Sequence, residues 1–331
     1  MEKAMKKWKV VLLGCISLLA SQASLGATYI GSWDLRGNGT KDLVYREGLA
    51  IRVVEAGGTT RDYPIGNVAW SFVDARDTNG KPGAELVVRA GNDLVIISHP
   101  TQSKRTYSVG NISWAVVDIA ELNNKAGEEI IVNISSGIKF ITDATQSFRD
   151  VNFNHNGTWA LFGIADLGGA GPDLIINMGG GVKLMDPRTY QMKDYNFQGY
   201  SAIFSTSQLD SKAGLEIVGR TSGTVYVISG GLKSGRLKEY PATTSSAWAI
   251  YGRTADTDGK AGDEIIVVMQ GLIRIVSHAS GYARDYPIAG GNYTIDSVTN
   301  LDGRPGNEII LRDSAGTAFV LNDRAGTLVR M

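Results

Sequence analysis

Cysteine is all but missing from this chain: Cys15 is the one example in 331 residues. If the segment around it is removed on export, no disulfide framework and no cysteine nucleophile remain, and packing alone must hold the fold. Histidine is nearly as scarce, with His99, His155 and His278 making up the set. Neither sign of charge prevails, because 33 basic residues face 33 acidic ones, so no basic field exists to attract nucleic acid or anionic lipid. No stretch approaches the roughly 18 uninterrupted apolar residues of a membrane-spanning helix. Glycine, by contrast, is abundant at 41 residues, well above the usual share of about 7%, and without a collagen-like period it points to many tight turns.

The N-terminal end differs from the rest. Lys3, Lys6, Lys7 and Lys9 precede an apolar run from Val10 to Ala20, which small residues follow up to Ala27. That pattern predicts a secretory signal peptide over residues 1–26 and a secreted or periplasmic protein. A lipidated N-terminus at Cys15 is the minor alternative, disfavoured by the short apolar run between Lys9 and Cys15. Loss of the leader removes four Lys and one Glu, leaving 29 basic and 32 acidic residues, a net charge of −3.

The remaining chain repeats itself. Acids that open Ile/Leu/Val runs stand at Asp42, Glu85, Glu129, Asp173, Glu216, Glu264 and Glu308, separated by 43, 44, 44, 43, 48 and 44 residues. A second marker of the type Arg-Asp-Tyr-Pro keeps the same register, as at Arg61, Arg105, Lys193, Lys238 and Arg284. Each unit holds four short runs rich in β-branched and aromatic residues, separated by turn residues, and none shows a helical period. Seven units of about 44 residues predict an all-β fold, a seven-bladed β-propeller of four-stranded antiparallel blades. The expected blades span residues 27–66, 67–110, 111–154, 155–198, 199–243, 244–289 and 290–331 in a single domain. Both ends carry nearly whole blades, so closure by face packing rather than by an exchanged strand is expected. The long 48-residue step is assigned to the loop over Thr243 to Ala247.

The loop Asp34-Leu-Arg-Gly-Asn-Gly-Thr-Lys-Asp42, with its six relatives, resembles the FG-GAP or VCBS-type repeat of integrin α-subunit propellers and many exported bacterial proteins. That resemblance implies a propeller whose loops chelate calcium through oxygens at spaced positions. The loops that come nearest are Asp77, Asn79 and Glu85, and Asp256, Asp258 and Glu264. A cation stands among those oxygens, however: Lys81, Lys125, Lys212, Lys260 and Arg304 in five units, and Arg36 in the first. An internal cation in place of calcium is therefore expected, with no cofactor. Asx-type turns that satisfy their own backbone are the compatible plain alternative.

Trp70, Trp114, Trp159 and Trp248, with Tyr200 and Tyr293, open the innermost runs. A ring of aromatics there would suit a sugar or peptide, whereas a Trp at one fixed place in a repeat also suits inter-blade packing. His99 and His278 lie 14 residues after their unit's acid, the offset of Asp143 and Asn322, and read as turn residues. No asymmetric acid–base cluster stands out. The expectation is a monomeric, non-enzymatic binding or interaction module for a protein or glycan, held by the face whose loops enter the innermost strands. The alternatives are a multivalent lectin-like carbohydrate binder and, third, a polysaccharide lyase or hydrolase.

Overall fold

The computed structural model describes residues 26–331 apart from 112, 154–157, 169–170, 198, 200, 243–246 and 289–290. The expected leader with Cys15, His155 and Tyr200 thus lie outside the described residues. No helix among the described residues is long and apolar enough to cross a membrane. Two compact units divide the chain, Met1–Asn154 and His155–Met331.

Every sheet is an antiparallel meander of four strands taken in chain order. The first unit holds sheets over residues 28–64, 70–108 and 114–152; the second holds sheets over 160–196, 201–241, 248–287 and 293–330. Each lies inside one of the repeats expected from the sequence. Helix is confined, among the described residues, to a 3-10 turn at Asp143–Thr145 and one α-helical turn at Gly231–Ser234. The fold class is all-β, a seven-bladed β-propeller of four-stranded antiparallel blades.

The burial pattern explains why the middle strands read as apolar runs. Glu85–Ala90 and Asp93–Ser98 are covered on both faces, whereas the outermost strand Ser103–Ser108 buries only Tyr107. Both faces must be apolar where a sheet lies between two neighbours. Accordingly, Val44, Ile51 and Val53 of blade 1 pack with Trp70, Leu86 and Val88 of blade 2. Within the second unit, Leu167 and Ile175 pack with Ile217 and Tyr226, and Val218 and Val227 with Trp248 and Ile265. Six of the seven innermost pairs carry a register shift, as between Phe72 and Asp74, which sharpens the local twist. Blade 6 departs: its first strand stops at Trp248–Ile250, and one bridge, Ala255 to Glu264, resumes the pairing.

The long repeat is not the work of residues 243–247 alone. Six residues separate Thr224–Ser229 from Arg236–Pro241, against four between Leu272–Ser277 and Tyr282–Pro287. Two of the additional residues therefore sit in the outer turn of blade 5. One more falls before Trp248 and one between Trp248 and Glu264, where the spacing is 16 rather than the 15 of Trp70 to Glu85.

Candidate functional site

Neighbouring blades within each unit are stitched together at their loops. The N–H of the residue before each marker acid donates to the first carbonyl of the preceding blade's loop: Ala84 to Asp34 at 3.0 Å, Glu128 to Asp77 at 2.7 Å, Leu215 to Asp166 at 2.8 Å, Asp263 to Gln208 at 2.9 Å and Asn307 to Asp256 at 2.8 Å. The glycine just before this donor lies close against the preceding loop. At Gly83 φ is +105°, and a side chain would run into the Leu35 carbonyl oxygen. Sequence reading attributed these glycines to turns and missed the contact, because a backbone-to-backbone bond has no side-chain signature.

The marker acids are buried and hydrogen-bonded. Glu85 accepts the Thr78 N–H at 3.1 Å and the Asn79 side-chain amide, Glu216 accepts the Leu209 N–H at 2.6 Å, and Glu264 accepts the Thr257 N–H at 2.8 Å. Burial pushes the carboxyls of Glu85, Glu129, Glu216 and Glu264 up to about 7 and that of Asp173 up to about 6. The expected internal cation holds at some loops only. Arg36 forks onto Asp42 at 2.8 and 3.2 Å and reaches Glu55 at 3.0 Å, and Lys212 and Lys260 pair with Asp210 at 2.5 Å and Asp258 at 2.9 Å. Lys81 and Lys125 instead enter through backbone N–H groups, with the amides of Asn79 and Asn123 on the acids, and in blade 7 Arg324 rather than Arg304 pairs with Asp302. A carboxamide answers a protonated or half-protonated carboxyl without needing a charge, so no lysine is required there. Among the described residues, Asp256, Asp258 and Glu264 bring oxygens within 4.8 Å of one another. Lys260 already holds Asp258, and Asp77, Asn79 and Glu85 are tied into their own loop by Gly80, Lys81 and Thr78 N–H groups.

The aromatic positions serve the opposite end of each junction. Trp70, Trp114 and Trp248 are 5%, 4% and 7% exposed, each beneath an arginine of the preceding blade: Arg46, Arg89 and Arg220, at 4.4, 4.5 and 4.3 Å from the ring centre. The Trp70 and Trp248 indole N–H groups donate to the carbonyls of Gly48 at 3.2 Å and Ser222 at 2.9 Å, and the Tyr293 hydroxyl donates to Met269 O at 2.9 Å and to Leu272 O. Trp159 is half-buried. The rings of Trp70, Trp248 and Tyr293 hold the hairpin turn of the blade before them.

The second repeat marker has a role that sequence reading did not assign. Its tyrosine reaches the outer turn of the next blade: Tyr63 lies 2.6 Å from His99 Nδ1, Tyr107 donates to Asp143 at 2.6 Å, Tyr240 lies 2.9 Å from His278 Nδ1, and Tyr286 donates to Asp323 at 2.5 Å. The arginine two residues earlier joins in, since Arg105 pairs with Asp143 and Arg284 with Asp323. His99 and His278 are the turn residues expected, and they serve the junction as well. Tyr195, 6% exposed, has no hydrogen-bond partner for its hydroxyl among the described residues; the matching turn begins with Gly230.

In the second unit, a cleft of about 640 Å³ lies against the loop of blade 5, bounded by Lys212 and Glu216, by Ser229, Arg236 and Lys238 of the blade's outer turn and strand, and by His278 of blade 6. It sits on the side where loops leave the innermost strands.

No family model matches the chain, and no curated protein matches it. Solved structures similar to it include BBS1N in complex with ARL6DN (13% identity over 89% of this chain and 92% of that one, TM-score 0.36). A streptogramin B lyase is similar at 12% identity, covering 92% and 91%, with a TM-score of 0.36. An Agrocybe aegerita lectin described for specific recognition of non-reducing terminal N-acetylglucosamine is similar at 11% identity, covering 89% and 90%, with a TM-score of 0.39. Likeness at this level says nothing of what this chain binds.

Proposed function

We propose that this chain is an exported, non-enzymatic binding module of the FG-GAP or VCBS type, and that it holds a glycan or protein ligand in the cleft between blades 5 and 6. The observation that carries this reading is a coincidence of place. The cleft lies where the chain departs from its own repeat, at the outer turn lengthened by two residues over that of blade 6. Irregular segments on a repeat scaffold are where recognition is built, because the regular ones already serve the fold. This moves the binding face from the loops entering the innermost strands, where the aromatics are engaged, to the loops leaving them. The lining is polar and cationic, with Arg236 and Lys238 exposed and without a carboxylate partner among the described residues. Equivalent weak sites in several blades are not favoured, since the junctions differ from one another.

The test is retention of the full chain on a panel of immobilised neutral and acidic polysaccharides, comparing wild type with Arg236→Ala/Lys238→Ala. Retention by wild type that the double variant loses, with no release of cleaved or unsaturated product, is the expected result. Retention unaffected by the variant overturns the site, and product release overturns the non-enzymatic reading.

A further inference from the structure

The five junctions that lie within the two units follow a rule with one exception. At each, the tyrosine from the preceding blade faces a layer made by two outer turns, its own and that of the next blade. In four of them that layer supplies a carboxylate. Glu55 supplies it between blades 1 and 2, 3.2 Å from His99 Nε2 and 3.0 Å from Arg36. Asp143 supplies it between blades 2 and 3, and Asp323 between blades 6 and 7, each holding a tyrosine hydroxyl and an arginine. Asp186, paired with Arg188 at 2.8 Å, stands at the position of Glu55 in blade 4. Between blades 5 and 6 the same positions carry Ser229 and His278, and the cleft of about 640 Å³ lies here.

The pair of junctions that share a histidine makes the comparison close. Tyr63 and His99, and Tyr240 and His278, have the same arrangement, with the phenol oxygen 2.6 and 2.9 Å from Nδ1. A tyrosine O–H donating to Nδ1 leaves the proton on Nε2, and in the first junction that Nε2 faces the Glu55 carboxylate. In the second, Nε2 has no partner among the described residues, and Ser229 stands where Glu55 would. The charges around it are unbalanced in one direction. Lys212 is neutralised by Asp210 at 2.5 Å, and Glu216 is engaged by the Leu209 N–H, whereas Arg236 and Lys238 have no carboxylate partner among the described residues. Hydroxyls of Ser229 and Ser234, backbone at Gly168 and Gly230, and the apolar side chains of Ala213 and Leu237 complete the lining.

Resting on the cleft as the binding site, we infer that its ligand is a sugar acid whose carboxylate takes the place in this junction that Glu55 takes between blades 1 and 2, accepting from His278 Nε2 and pairing with Arg236 and Lys238. A lining that sets cations and hydroxyls beside only two apolar side chains, Ala213 and Leu237, suits a polyhydroxylated scaffold over an apolar peptide end.

The experiment is calorimetric titration of the full chain with di-glucuronic and di-galacturonic acid, with the matching neutral disaccharides, and with a short peptide bearing a free C-terminal carboxylate. The acids are expected to bind at least about tenfold more tightly than the neutral sugars and the peptide, as a charge-assisted contact provides. Ser229→Glu, which installs the carboxylate the junction lacks, is expected to cost at least about tenfold in uronate affinity while leaving the melting temperature equal or higher, so that misfolding is separated from closure. Equal binding of acidic and neutral sugars, both weakened by Arg236→Ala/Lys238→Ala, overturns the carboxylate and leaves the cleft as the site. Preference for the peptide overturns the sugar scaffold. Binding of any probe that is indifferent to both variants overturns the site as well.

Discussion

The hydroxyl of Tyr63 lies 2.6 Å from Nδ1 of His99, a residue of the next sheet, whereas the hydroxyl of Tyr195, at the same place in its repeat, has no partner. The difference sets up a comparison of phenylalanine variants. Tyr107→Phe, which leaves Asp143 one donor short, should lower unfolding stability by about 1–3 kcal/mol. Tyr195→Phe removes a buried hydroxyl that makes no bond and should be neutral or stabilising. Urea unfolding of both variants checks this, and equal losses would contradict it.

Stability should fall as pH rises from about 5 to 8. The carboxyls of Glu85, Glu129, Glu216 and Glu264 are pushed up to about 7 by burial, above their ordinary value of 4.5, so the fold favours their protonated form. Their contribution is complete below the ordinary value and is lost as pH passes through 7. Asp62, Asp258 and Asp285, lowered by their arginine and lysine partners, act only at more acidic pH and leave that window alone. The melting temperature is expected to drop by several degrees across the window, and Glu264→Gln should flatten the slope. A profile that rises with pH would refute the assignment.

Calcium should matter little to the wild type. A ligand at a hundred times its Kd adds about 2.7 kcal/mol to stability, which a melting curve readily detects. With Arg36 on Asp42 and Lys260 on Asp258, millimolar calcium or a chelator should leave the curve in place. Lys260→Ser, which frees Asp258 beside Asp256 and Glu264, should gain a calcium-dependent rise. A wild-type response of that size would show that the internal cations do not substitute for metal.

Trp248 and Trp114 offer a second paired test. Both are buried under an arginine, but only Trp248 donates its indole N–H, to Ser222 O at 2.9 Å, while the Trp114 N–H has no partner. Trp248→Phe should therefore cost about 1 kcal/mol more than Trp114→Phe in denaturant unfolding. The reverse order would mean that packing differences outweigh the bond.

The repeat was legible because its physics is local. A middle strand covered on both faces must be apolar throughout, so Glu-Ile-Ile-Val at 129–132 and at 264–267 announces itself, and the spacing of such runs counts the sheets. The runs the sequence offers in the third repeat, 114–119, 129–134, 138–142 and 147–153, agree within a residue with the strands found there, Trp114–Ala120, Glu129–Ile134, Gly137–Thr142 and Ser147–Asn152. What escaped was everything that joins one repeat to the next. The tyrosine of the second marker and its turn partner are 36 residues apart between Tyr63 and His99, and no periodicity connects them in the sequence. The cleft escaped for the same reason. Ser229 looks unremarkable until Glu55 is seen on the histidine of the corresponding junction, and the two residues added to the outer turn of blade 5 cannot be located from the length of the step alone.

The amide of Ala84 on the carbonyl of Asp34, and its four counterparts, have a consequence for how such a chain can change length. Each of these bonds ties one loop to a fixed register in the loop before it, with Gly83 or Gly262 pressed so close that no methyl group fits. A single inserted residue between the glycine and the acid would break the tie on one side. Insertion of a whole repeat would present the same donor and acceptor at both seams. Chains of this kind can therefore grow or shrink by duplication or loss of entire blades, while smaller insertions settle in outer turns such as 230–235, where recognition can diverge without disturbing the seam.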